Sequence, residues 1–269
     1  MFRITVTLLL TLLLAGCDFL AQFKTVTVAS ICKEYPHLCK DLNPDAHCRY
    51  EKAEIIRTRY AHIKAPSDPL KYQLLLLFED YKECVSLAAQ IEHIKLKEKK
   101  SGRVKGMLTA QREIRQLSRD TEESDYPYLM YYHWSRYGSE EALDRFLALQ
   151  GTKQLEEPDL QKFLAEHFVK FDLEKTVEIL HHALELYDSG DEVDPEIFYS
   201  LSTIYLKLDK FAKAYLWGYI AKDFDITDLD LGQIEAIVIQ QNKSPGQIET
   251  IANRYISDIK SGTFVAPGL

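Results

Sequence analysis

The side chains able to do chemistry fall into a few clusters. Cys32, His37, Cys39, His47, Cys48 and Cys84 share one stretch of the chain, with Cys17 standing apart. Thiols and imidazoles in that arrangement suit disulfides or zinc. The spacings match no known zinc finger and contain no repeated Cys-x-x-Cys, so disulfides are favoured over metal. Further on, His181 and His182 are adjacent. On a helix they diverge by ~100° and cannot serve one metal, and His167 lacks the Glu of a His-Glu-x-x-His site. The acidic run Asp188, Asp191, Glu192, Asp194 and Glu196 offers oxygens for calcium but lacks the ligand spacing and central Gly of an EF-hand. Tyr126, Tyr128, Tyr131, Tyr132, Trp134 and Tyr137 could stack on a sugar or peptide, although helical spacing turns some of them into a core. Between Lys95 and Arg119, nine basic residues meet only Glu98 and Glu113, a face suited to solvent or to anionic headgroups. The sequence contains no nucleophile elbow, phosphate loop, dinucleotide fingerprint or zinc-protease motif. No catalytic residue, metal ligand or cofactor is therefore assigned.

The N-terminus supplies an address. Met1-Phe2-Arg3 precedes Ile4–Leu14, an 11-residue apolar run interrupted only by threonines. Such a run is short for a bilayer span and fits a signal peptide. It ends in Leu14-Ala15-Gly16-Cys17, which resembles the lipobox of bacterial lipoproteins. The resemblance implies that residues 1–16 are removed and that Cys17 becomes a lipidated N-terminus. Two or more acyl chains would make a stable anchor. Asp18 resembles the signal that keeps enteric lipoproteins in the inner membrane. The expected location is the envelope of a Gram-negative bacterium, facing the periplasm, at the inner rather than the outer membrane. In that oxidising compartment the remaining four cysteines are expected to form two disulfides. Three connectivities exist. Cys32–Cys39, a local staple around Pro36, and Cys48–Cys84, a longer one contributing roughly 2–4 kcal/mol, are favoured.

These residues must be positioned by helices. Across 269 residues, 46% hydrophobic and 28% charged, there are only 11 Gly and 9 Pro, which favours helix and leaves enough chain for a sizeable core. Periodicity predicts helices near 44–63, 69–93, 103–119, 126–137, 139–149, 159–171, 174–187, 195–208, 210–223, 229–240 and 245–260. Asn43-Pro44, Asp68-Pro69, Asp194-Pro195 and Ser244-Pro245 read as helix starts, with Ser244 and Gln247 as a capping box. Strand-like alternation is confined to Thr25-Val26-Thr27-Val28, so the fold reads as all-α. Residues 18–30 read as a tether without helical periodicity, at most ~45 Å long. Residues 17–119 carry 19 Lys and Arg against 13 Asp and Glu, whereas residues 120–269 carry 13 against 28. The change falls at Asp120–Asp125. The expected organisation is a signal peptide (1–16), a lipidated tether (17–30), a disulfide-stapled helical region (31–119) and an acidic helical-repeat region (120–269). The net charge of −8 argues against nucleic acid as a partner.

Two segments of the acidic half align. Leu164-Ala165-x-x-Phe168, Glu174-Lys175-Thr176 and Ala183-Leu184 correspond to Leu201-Ser202-x-x-Tyr205, Ala212-Lys213-Ala214 and Ala221. This resembles tetratricopeptide repeats and the related Sel1-like repeats. The resemblance implies an α-solenoid of helical hairpins, with small residues at close helix approaches and aromatics filling the gaps between hairpins. It predicts burial of Leu164, Phe168, Leu201, Tyr205, Ala214 and Ala221. The Gly usual in these families is replaced at Ala165 and Ser202, and the closing Pro is absent after Asp225-Ile226. Residues 128–149 form a weaker third unit.

The whole mature chain also resembles a family of bacterial lipoproteins defined as a domain of unknown function. The resemblance is carried by Leu14-Ala15-Gly16-Cys17, Cys32-Lys-Glu-Tyr-Pro36, Asp80-Tyr-Lys-Glu-Cys84, Tyr132-His-Trp134-Ser135 and Ala221-Lys-Asp-Phe-Asp225. It implies an envelope location and no known activity. The expected function is a lipid-anchored periplasmic adaptor that binds an envelope protein or peptide of basic character in an acidic groove. Tyr128, Tyr131, Tyr132, Trp134, Asp191 and Glu192 are the candidate binding residues. A cell-wall or sugar-binding module and an envelope hydrolase are the alternatives.

Overall fold

The computed structural model describes residues 26–91, 97–226 and 229–266. Cys17 and Asp18 lie outside the described residues. All regular structure among the described residues is helical. No described helix is long and apolar enough to cross a membrane. The chain divides into two compact units, one running to Leu129 and the other starting at Met130.

The first unit contains α1 (Val28–Glu34), a 3-10 turn (Pro36–Leu38), α2 (Arg49–Lys64), α3 (Asp68–Ala89) and α4 (Lys97–Asp120). Helix α1 begins within the stretch expected to be a non-helical tether. The Thr27 hydroxyl accepts from the Ser30 N–H and the Ser30 hydroxyl accepts from the Thr27 N–H, a reciprocal cap that satisfies two orphan donors. Asn43-Pro44, in contrast, starts no helix. The Asn43 amide donates to the Asp45 carboxylate and the His47 carbonyl, holding a loop, and α2 begins only after Cys48, whose φ is +55°. Helix α3 packs along both α2 and α4. Ile55, Leu74, Leu75, Phe78, Tyr81, Val85 and Ala110 fill the space between them.

Disulfides join Cys32 to Cys39 and Cys48 to Cys84. The second ties the start of α2 to α3 across 36 residues, and chain constraint of that kind contributes roughly 2–4 kcal/mol. The stapled loop is pressed onto α4 at Gly106, where a Cβ would collide with the Tyr81 hydroxyl and stand 3.2 Å from the Asn43 nitrogen. Tyr81 in turn accepts from the Asn43 N–H at 2.9 Å and donates to the Asn43 side-chain oxygen at 2.8 Å.

The second unit takes in α5 (Pro127–Tyr137) from Met130 onward, α6 (Glu140–Leu147), α7 (Pro158–Phe168), α8 (Leu173–Glu185), α9 (Glu196–Lys207), α10 (Phe211–Asp223), α11 (Gly232–Gln240) and α12 (Pro245–Lys260). Helix α7 packs on α8 and α9 on α10, each pair joined by a short turn. Helix α8 also touches α9, and α10 contacts α11 and α12. Ser139 caps α6 and Asp172 caps α8 by accepting first-turn N–H groups. Ser244 precedes α12 as expected, but its side chain makes no capping bond, so the expected box with Gln247 does not form. The helix start relies instead on Pro245, whose ring fixes φ in the first turn.

Leu164, Leu201, Tyr205, Ala214 and Ala221 are buried, as hairpin stacking requires, whereas Phe168 is half-buried. Helices α9 and α10 approach closely. The Ser202 hydroxyl donates to the Ala214 carbonyl at 2.9 Å. At Gly218 a Cβ would stand 2.5 Å from Leu231 and 3.1 Å from the Ser202 hydroxyl, so any larger residue would have to displace its neighbours.

Candidate functional site

Helices α7 and α9 are the first helices of their hairpins, and a groove of about 340 Å³ runs between them. Lys162 and Glu166 of α7 and Val169 at its C-cap are spaced i, i+4, i+7. Glu196, Ser200 and Ile204 of α9 are spaced i, i+4, i+8, so each set shares one helix face. Ala165, Val169, Leu180, Ile197 and Ile204 supply an apolar floor. Three carboxylates, Glu166, Asp194 and Glu196, and the Lys162 ammonium supply the charge. Asp194 accepts from the Glu196 N–H at 2.9 Å, closing the first turn of α9, and also pairs with Lys162. Asp159 meets the same ammonium at 3.2 Å. Burial works against the Lys162 charge, but Asp194 and then Asp159 outweigh it and hold the group above the usual lysine range. The groove is therefore acidic, with its lysine already neutralised.

Aromatic rings border it. Tyr131 of α5 stacks on Phe163 of α7, with centroids 3.7 Å apart and planes 3° from parallel, and its hydroxyl donates to Glu166. Trp134 lies 5.7 Å from Tyr131 and meets His167 edge-on at 5.8 Å. Phe171, 76% exposed, lies 5.4 Å from His167. Of the tyrosines singled out from sequence, the structure brings Tyr131 to the groove, with Trp134 beside it. Tyr132 is 2% exposed and belongs to the core, against His133 and Tyr137. Tyr128 packs on Tyr72 and Tyr126 in the first unit. Asp191 accepts from the Asp188 N–H at 2.8 Å and holds the loop before α9, and Glu192 is exposed there; neither lines the groove. Sequence reasoning does not single out Lys162, Phe163, Glu166 or Ser200 as binding residues. Their signal is the face of the first repeat helix left over once Leu164 and Leu201 are turned inward.

Other polar groups are structural. Cys48, Glu51 and Cys84 offer ligand atoms close together, but both sulfurs are held in a disulfide. Arg103, drawn from the basic run, is buried; it donates to Asp45 at 2.8 Å and to the Ala88 carbonyl at 2.7 Å. Arg59 donates two parallel bonds of 2.9 Å to Asp41 and lies over the Phe78 ring. His181 and Tyr205 are buried with rings 6.3 Å apart. Among the described residues, neither the His181 Nε2 nor the Tyr205 hydroxyl has a hydrogen-bond partner.

Residues 14–219 match the family model described as "Protein of unknown function (DUF2989)". No curated protein and no solved structure matches the chain.

Proposed function

We propose that this chain, which belongs to the DUF2989 family of proteins of unknown function, is a lipid-anchored periplasmic adaptor. In this reading the groove between α7 and α9 holds a basic segment of an envelope protein or peptide. The observation that carries it is the groove itself: an apolar floor, two carboxylates and a paired lysine on the first helices of adjacent hairpins, and a third carboxylate, Asp194, just before α9. An apolar floor takes the stem of a lysine or arginine while carboxylates meet its charged head. The 37-residue offset between Leu164 and Leu201 supports a tetratricopeptide or Sel1-like reading of α7 to α10, folds in which stacked hairpins present such a surface. The Leu14-Ala15-Gly16-Cys17 sequence supports lipidation at Cys17, and Asp18 supports inner-membrane retention. Two disulfides suit an oxidising compartment.

The test compares proteins captured from envelope extracts by the wild type and by Glu166→Lys with Glu196→Lys. Both side chains are exposed, so the fold should tolerate the change. The reading expects a captured protein lost both on reversal and at high salt. An identical captured set from both proteins, at either salt, would overturn it.

A further inference from the structure

The first unit carries a surface that the groove does not use. On α4, Arg103, Gly106, Ala110 and Ile114 are buried, whereas Lys105, Leu108, Arg112, Arg115 and Arg119 are exposed. Their spacing of i, i+3, i+7, i+10 and i+14 places all five on one face, ~21 Å long. Lys105 donates to the Lys40 carbonyl at 2.7 Å, so exposed Lys40 extends the stripe toward the Cys32–Cys39 staple and α1. Arg112 touches Glu113 at 2.9 Å and Asp41 at 3.5 Å, yet its side chain stays 59% exposed. Both carboxylates are already engaged by buried Arg59. Arg119 bonds the neutral Gln116 side-chain oxygen, and Asp120 accepts from the same Gln116. Leu108, 54% exposed, sits among the cations.

We infer that this stripe rests on anionic phospholipid headgroups and holds the first unit against the bilayer that carries its anchor. The inference takes its membrane from the lipid-anchor reading. Ten residues separate Cys17 from Val28 and reach at most ~36 Å, so the unit cannot leave the vicinity of that membrane. Exposed charges act over only ~8–10 Å at physiological ionic strength, which makes contact, rather than long-range attraction, the operative state. One basic residue at an anionic surface raises partitioning about fivefold, and a leucine among the cations can enter the headgroup region.

The experiment is vesicle flotation of the full chain carrying Cys17→Ser, which lacks the lipid. Vesicles of phosphatidylcholine are compared with vesicles that also contain phosphatidylglycerol. The leader, with its Arg3, is common to the intact stripe and to its variants, so the part of the excess on anionic vesicles that the stripe variants lose is the readout. The expected result is an excess of roughly tenfold or more that disappears at high salt and in Lys105→Glu with Arg112→Glu, Arg115→Glu and Arg119→Glu. A second variant with glutamine at the same four positions should lose most of the excess and guards against misfolding of the first. Equal binding to the two vesicles, or an excess retained by the glutamine variant, would overturn the inference. Failure of Cys17 lipidation would appear separately, as unchanged fractionation of Cys17→Ser in cells.

Discussion

Buried His181 makes the second unit sensitive to acid. Burial, then the Lys213 charge, push its pKa down to about 4, with Glu185 opposing. An unfolded histidine titrates near 6.5, so between these values the unfolded chain binds the extra proton. The stability from a neutral His181 is complete above pH 6.5 and falls by about 3 kcal/mol as pH drops to about 4. Urea midpoints measured from pH 7 to pH 4.5 should fall more steeply for the wild type than for His181→Leu; equal slopes would contradict this. Arg103 is a different case, a cation whose burial the charge pattern conceals. Its bond helps hold the Asp45 carboxyl below the usual range despite burial, which acts the other way. Arg103→Ala should therefore destabilise the first unit by about 3–5 kcal/mol, read as a lower denaturant midpoint, because it removes the cation from a buried ion pair and leaves the Asp45 carboxylate with neutral donors alone. Nine cations in a run announce a charged face, but only the fold decides which of them turns inward.

At the scale of elements, the periodic helices are legible in the sequence. Helices expected near 174–187 and 245–260 appear as Leu173–Glu185 and Pro245–Lys260. The differences arise where a cap or a loop, rather than an apolar face, sets the boundary. Thr27 and Ser30 cap a helix too short to show a period, and the Asn43 side chain spends its donors on a loop. The small residues of the repeat pattern are readable, and they define the next prediction. Ala214→Arg forces a long charged side chain into the α9–α10 contact, where Ser202 already bonds the Ala214 carbonyl. It should cost at least about 3 kcal/mol or abolish cooperative unfolding of the second unit. An unchanged melting profile would remove the close-contact argument.

At the scale of the whole molecule, charge is partitioned along the chain, with cations in the half that follows the proposed lipid anchor and acids in the half that holds the groove. The partition is plain in the sequence. The groove is not, because it depends on which face of α7 meets which face of α9, and its Lys162, Glu166 and Ser200 are separated by ordinary helical spacings. The most direct measurement places a photo-crosslinking residue at Ser200, within the groove, or at exposed Lys222 on α10, outside it, in living cells. The account predicts that Ser200 crosslinks a lysine- or arginine-rich segment of an envelope protein, that Lys222 does not, and that Glu166→Lys with Glu196→Lys abolishes the Ser200 product. The same product from both positions, or a Ser200 product that survives the reversal, would contradict it.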